Sequence, residues 1–135
     1  MESLPPRSRS ELVEDVRCAF NVDAGIFFTV TYNAVIRNCQ IRNTGFSADG
    51  TIANNQAIGI YDAQGFGNLI YQNNITLVTG TGINLGPNDL ADGNFVTAVT
   101  TGIFSADLSS KLKNNTVTNA TTPYQGGTQL PGTNF

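Results

Sequence analysis

Any acid–base chemistry in this chain must rest on carboxylates, because the sequence contains no histidine. Hydrolysis of a glycosidic bond takes two acids held ~5–9.5 Å apart. Four aspartates are the candidates. Asp89 and Asp92 lie close in sequence, while Asp62 and Asp107 depend on folding to bring them near one another. Asp62 is the odd acid, since it aligns with Phe28, Leu85 and Ser105 in a nominally inward series. A carboxyl buried there would have a raised pKa and would be a candidate functional group. A local bend that turns Asp62 to solvent is the simpler expectation. Calcium binding through Asp89 and Asp92 lacks the loop spacing of known calcium sites, and no cofactor or metal is called for.

What must position these acids is a repeat. In Ala57–Ile83 a Gly-Ile pair is followed by an aliphatic couple, a paired Asn, Ile75 and a second Gly-Ile pair. Gly59 to Gly82 makes one unit of 23 residues. The same unit, edited, gives one apolar column of Cys18, Ile41, Ile75, Phe95 and Val117. A second runs through Val13, Ile36, Ile70, Leu90 and Leu112, and the Gly-Ile pairs give Ile26, Ile60, Ile83 and Ile103. A period of 20–23 residues is the mark of a solenoid whose stacked coils bury a continuous core. Short alternating runs broken by Asn and Gly suit strands rather than helices. Like strands on successive coils then run parallel. A capping-box helix beginning at Ser8 is the rejected alternative.

Two residues before the Ile75 column lie Val16, Cys39, Asn73, Gly93 and Asn115. Stacked Asn73 and Asn115 would hydrogen-bond along the axis, with Gly93 interrupting them. Residues 43–56 exceed the repeat and read as an extruded loop carrying Phe46. Residues 1–10 read as an irregular lead-in and 121–135 as an irregular arm that either covers the last coil or reaches a neighbour.

Outward positions carry the binding expectation. Phe27, Tyr61, Asn84 and Phe104 alternate with the inward isoleucines and so line one outer face. An apolar strip of this kind calls for a second subunit, the chain's own arm or a sugar ring. The opposite outward column, Arg17, Gln40, Asn74, Asn94 and Thr116, reads as a solvated face. Glu14 and Arg37 are expected to pair across adjacent coils.

Bulk composition narrows the partners. A net charge of −3 and only 13% charged residues leave no basic patch for nucleic acid or an anionic membrane. No apolar run approaches the ~20 residues of a membrane span, and the N-terminal residues lack the apolar core of a secretory signal. Cys18 and Cys39 read as small buried thiols, which favours a cytoplasmic setting.

Segments 34–45 (AVIRNCQIRNTG), 68–83 (NLIYQNNITLVTGTGI) and 111–120 (KLKNNTVTNA) resemble the repeats of right-handed parallel β-helix proteins of the pectin-lyase-like superfamily. The ending NNTVTNATTPYQGGT is similar to the close of short bacterial members. The resemblance implies carbohydrate chemistry: uronate lyases, polygalacturonases, epimerases and tailspike glycosidases share the architecture. Yet the Asn-Thr-Asp, His-Gly and Arg-x-Lys motifs of polygalacturonases are missing. Tyr61-Asp62 matches only a fragment of the alginate-epimerase motif. The resulting expectation is an all-β, right-handed parallel β-helix of about five coils. Its function would be that of a non-enzymatic homo-oligomeric module, and the alternative is a carbohydrate-active enzyme or a saccharide-binding remnant of one.

Overall fold

The computed structural model describes residues 11–131 and 133–135, so the lead-in expected at 1–10 and the residues that would open a Ser8 helix lie outside the described residues. Fourteen strands follow in order: β1 (Leu12–Glu14), β2 (Arg17–Ala19), β3 (Ala24–Phe28), β4 (Val35–Arg37), β5 (Gln40–Thr44), β6 (Ile58–Asp62), β7 (Leu69–Tyr71), β8 (Asn74–Val78), β9 (Thr81–Leu85), β10 (Leu90–Asp92), β11 (Phe95–Ser105), β12 (Lys111–Lys113), β13 (Thr116–Gly126) and β14 (Thr128–Gln129). Among the described residues there is no helix. One sheet stacks β1-β4-β7-β10-β12-β14, and among the described residues every paired strand runs parallel to its neighbours. The second sheet turns a corner, because β11 and β13 are long enough to serve two faces. The result is a parallel β-helix.

Successive rungs of the first sheet begin at Leu12, Val35, Leu69, Leu90, Lys111 and Thr128, so the intervals are 23, 34, 21, 21 and 17 residues. Six rungs stand where about five were expected. The sixth comes from the segment read as an irregular arm: β13 continues to Gly126 and β14 pairs with β12. Phe135 closes the end by donating its N–H to the Asn115 carbonyl (2.9 Å) and accepting from Val117 N (2.7 Å). The arm therefore covers the last coil of its own chain.

Corners are set by backbone handedness. Two residues beyond each inward side chain the chain enters the left-handed region, at Asp15, Asn38, Gln72, Gly93 and Asn114 on one edge. On the next edge the positions are Phe20, Asn43, Leu77, Ala98 and Asn119. Asn and Gly adopt this conformation at little cost, which explains why Asn punctuates the sequence. The Gly-Ile glycines answer a different need. A methyl built on Gly59 would lie 2.5 Å from the Gly82 carbonyl oxygen and 3.0 Å from Ile75 Cγ2, so the coil can bend there only without a side chain.

Inside, the files are Val13–Ile36–Ile70–Ala91–Leu112, Cys18–Ile41–Ile75–Val96–Val117 and Ile26–Ile60–Ile83–Ile103–Tyr124. Three of the expected positions are thereby corrected by one residue. Val96 is fully buried whereas Phe95 is 42% exposed, Ala91 takes the place expected of Leu90, and Asn94 takes that of Gly93. The cause is a corner one residue shorter. Gly82 lies seven residues beyond Ile75, but Gly102 lies six beyond Val96, so counting back seven from Gly102 overshoots onto Phe95. Gly93 instead occupies a left-handed corner, where its missing side chain is useful.

Register restored, the amide file has no gap. Asn73, Asn94, Asn115 and Asn134 stack in line, each side-chain oxygen accepting from the backbone N–H of the preceding member at 3.0–3.1 Å. Cys39 N heads the file by donating to Asn73 Oδ1 (3.0 Å). Each amide nitrogen also donates to a carbonyl of the first sheet: Ile36, Ile70, Ala91 and Leu112. A buried amide is tolerated only when its donors and acceptors are met, and stacking meets them.

Candidate functional site

Two places in the fold set polar or aromatic groups where packing alone does not account for them. The first is a buried acid pair at the corner that returns each coil to the first sheet. Just before that sheet, Ala34, Asn68, Asp89 and Ser110 form a second file, with polar side chains from Asn68 onward. Asn68 Oδ1 accepts from Ala34 N (2.7 Å), and Asp89 Oδ1 accepts from Asn68 N (2.8 Å). Asp89 thus occupies a ladder position of the kind that asparagine fills elsewhere. Asp62 reaches the same corner from the end of β6. Its Oδ2 accepts from Asn68 Nδ2 (3.0 Å) and its Oδ1 from Gly65 N.

Both acids are inside, Asp62 3% and Asp89 1% exposed. The bend expected to carry Asp62 to solvent is absent, because the inward series Phe28–Asp62 holds its parallel register. The two carboxyls meet each other. Loss of water around Asp89, reinforced by a hydrogen bond with Asp62, pushes its pKa up to about 8, against the pull of the Asn68 and Gly86 amides. Gly86 N donates to Asp89 Oδ2 at 2.9 Å, and a methyl on Gly86 would stand 2.6 Å from Asp62 Oδ2. Glycine is needed there so that the Asp62 carboxylate can approach the backbone.

The other two acids do not join them. Asp92 points outward on β10, where Asn114 Nδ2 donates to it (3.2 Å) and Lys113 Nζ lies 3.8 Å away. Asp89 and Asp92 thus occupy opposite sides of the coil wall, and no group of three or more metal-binding side chains is formed among the described residues. Asp107 sits exposed in the turn after β11, where Ser109 hydrogen-bonds to it from both hydroxyl (2.6 Å) and N–H (2.8 Å) and holds its pKa down. Its partner in the fold is Ser109 and not Asp62.

The second place is the outer face of β3, β6, β9 and the second half of β11. Phe27, Tyr61, Asn84 and Phe104 are register neighbours there, in the expected order. Phe27 is 60% exposed, and its ring packs against Tyr61 with centroids 5.3 Å apart and planes tilted by 41°. Tyr61, Asn84 and Phe104 are half-buried. Ala24, Ile58, Thr81 and Thr101 form a further register column on the other side of the glycine bend. Gln125 follows Phe104 on β13, so the arm leaves the strip uncovered.

The extruded loop is tied down rather than free. Phe46 and Ile52 form an antiparallel bridge within it, Gly45 N donates to Asn21 O (2.7 Å), and Asn54 Nδ2 donates to Asp23 Oδ1 (2.9 Å). Phe46 is half-buried. On the outer wall Glu14 and Arg37 pair as expected, Nε to Oε2 at 2.6 Å. In the other outward column Phe95 replaces the expected Asn94, giving Arg17, Gln40, Asn74, Phe95 and Thr116. Cys18 and Cys39 are free and unpaired with one another, their thiols pushed up chiefly by burial. Sequence reasoning missed Asn68, which touches both acids; its place one residue before the Leu69 strand, matching Asp89 before Leu90, was the available signal.

No family model matches this chain, and no curated protein or solved structure is similar to it at a meaningful level.

Proposed function

We propose that this β-helix is a non-enzymatic structural or binding module that self-associates through the outer strip of Phe27, Tyr61, Asn84 and Phe104. The observation that carries the proposal is the 60% exposure of Phe27, whose ring packs against Tyr61 on the outside of the coil. Water leaves an aromatic face of this kind at a gain of ~25 cal/mol per Å². Three rings spaced ~4.8 Å per strand are smaller than the ~800 Å² a stable interface takes from each partner. The contact therefore has to extend beyond the three rings to other exposed residues around them.

Carbohydrate chemistry is the weaker reading, and kinship with the pectin-lyase-like superfamily stays a proposal resting on the repeat and the β-helix architecture. A hydrolase needs its acids within reach of substrate. Asp62 and Asp89 are sealed under the corner, and Asp92 and Asp107 lie on different parts of the wall. Saccharide stacking on Phe27 is the form of that reading that survives. Light scattering on the native protein and on Phe27→Ser/Phe104→Ser tests the proposal. A multimeric native protein and a monomeric variant are expected; a monomeric native protein overturns it.

A further inference from the structure

We propose that Asp62 and Asp89 form a proton-held clasp between the second and third coils, closed while the two carboxyls share one proton and opened when that proton passes to solvent base. The geometry calls for the proton. Two carboxylates that are 3% and 1% exposed meet within one corner, and both flank Asn68 and Gly86. If both were ionised, two like charges would face each other in a medium of low dielectric, with no opposite charge acting on Asp89 among the described residues. The groups acting on Asp89 are its own desolvation, Asp62 and the amides of Asn68 and Gly86; no Lys or Arg is among them. Asp107, the acid in the corresponding turn one coil on, is exposed and engaged by Ser109.

The clasp fastens particular backbone. Asp62 holds Gly65 N and the Asn68 amide, so it orders the turn over 63–68. Asp89 holds Gly86 N and Asn68 N, which orders the turn over 86–89 and binds it to the coil before. Asn68 passes the connection on to Ala34 N. Losing the shared proton sets the two acids against each other across Asn68, and these two turns are the elements that give way. Tyr61 of the outer strip directly precedes Asp62, so an opened clasp also loosens that strip at Tyr61.

The test uses the whole chain, ¹³C-labelled at aspartate, followed by carboxyl NMR from acid to alkaline pH alongside hydrogen exchange at the Gly65 and Gly86 amides. The expected result is one carboxyl titrating near pH 8, absent from Asp89→Asn. Protection at both glycine amides should fall on the order of tenfold or more across the same midpoint. Titration of every aspartate below about pH 6 overturns the proposal. So does a carboxyl that titrates near 8 while protection at both amides stays flat, because the acids would then share a proton without fastening anything. If Asp89→Asn fails to fold, the native titration and exchange still decide between these outcomes.

Discussion

Asn94→Ala tests the internal architecture at one position. The Asn94 side chain accepts from Asn73 N (3.0 Å) and Asn73 Nδ2 (3.1 Å) and donates to Ile70 O (2.9 Å) and Asn115 Oδ1 (3.0 Å). Each such bond contributes a net ~0.5–1.5 kcal/mol, and a buried donor left without a partner costs ~1–3 kcal/mol. Asn73 keeps Ile36 O for its amide nitrogen, but its backbone N–H is stranded. The expected loss is about 3–5 kcal/mol, a large part of the ~5–15 kcal/mol typical of a domain. With a urea slope of ~2 kcal/mol/M, the unfolding midpoint should fall by about 1.5–2.5 M. Far-UV circular dichroism follows the transition, and Asn74→Ala, one rung back on the exposed wall, serves as the control with an effect within about 0.5 kcal/mol. A loss below about 1 kcal/mol at Asn94 would falsify the continuous ladder and return Asn94 to the outer face.

Three further outcomes are expected at Thr44, Leu77 and Asp89. Thr44 is fully buried beside Val78, and its hydroxyl has no hydrogen-bond partner among the described residues, so Thr44→Val should raise stability by ~1 kcal/mol in urea; a clear loss would mean that the hydroxyl is satisfied. Leu77 takes the left-handed conformation (φ 59°) at a corner where Asn43 and Asn119 stand on other coils, so Leu77→Asn should gain ~1 kcal/mol or raise the melting temperature by a few degrees; no change or a loss would show that Leu77 packs more than it strains. Asp89 has a folded pKa of about 8 against an unfolded value near 4, so the folded state holds a proton that the unfolded state has lost. Its contribution is complete below about pH 4, falls by ~1.4 kcal/mol per unit as pH rises, and is gone above about pH 8. Urea midpoints should decline with pH across that window in the native protein and less steeply in Asp89→Asn.

The fold was legible because the apolar files are long and the period nearly constant. Ile36, Ile41, Ile60, Ile70, Ile75 and Ile83 stand where the spacing puts them, and so do Phe27, Tyr61, Asn84 and Phe104. Register failed in the fourth coil, where the corner before Gly102 is one residue short. Phe95 and Leu90 are large apolar residues that fit an inward position as well as Val96 and Ala91 do, so hydrophobicity could not arbitrate. Better evidence lay in the amides, since a file of Asn73, Asn94 and Asn115 meets its own hydrogen bonds and a gap at Gly93 does not. Asp62 was placed outward on the general cost of burying charge. What offsets that cost is a second carboxyl from another coil, carrying the proton, and Asn68 between them; only the matching places of Asn68 before Leu69 and Asp89 before Leu90 hint at that arrangement. The arm at 121–135 was read as irregular because its Pro and Gly residues break the period, yet the strands on either side of Gly126 and Gly127 continue the ladder.

Self-association stands or falls on whether the outer aromatic strip is a contact between copies. A photo-crosslinking phenylalanine placed at Phe27, irradiated in the purified native-length protein and mapped by mass spectrometry, locates that contact. Crosslinked dimers whose peptides contain Tyr61, Phe104 or the strands around them are expected. Crosslinks confined within one chain, or dimers joined through the opposite wall at Asn74 and Thr116, would contradict it.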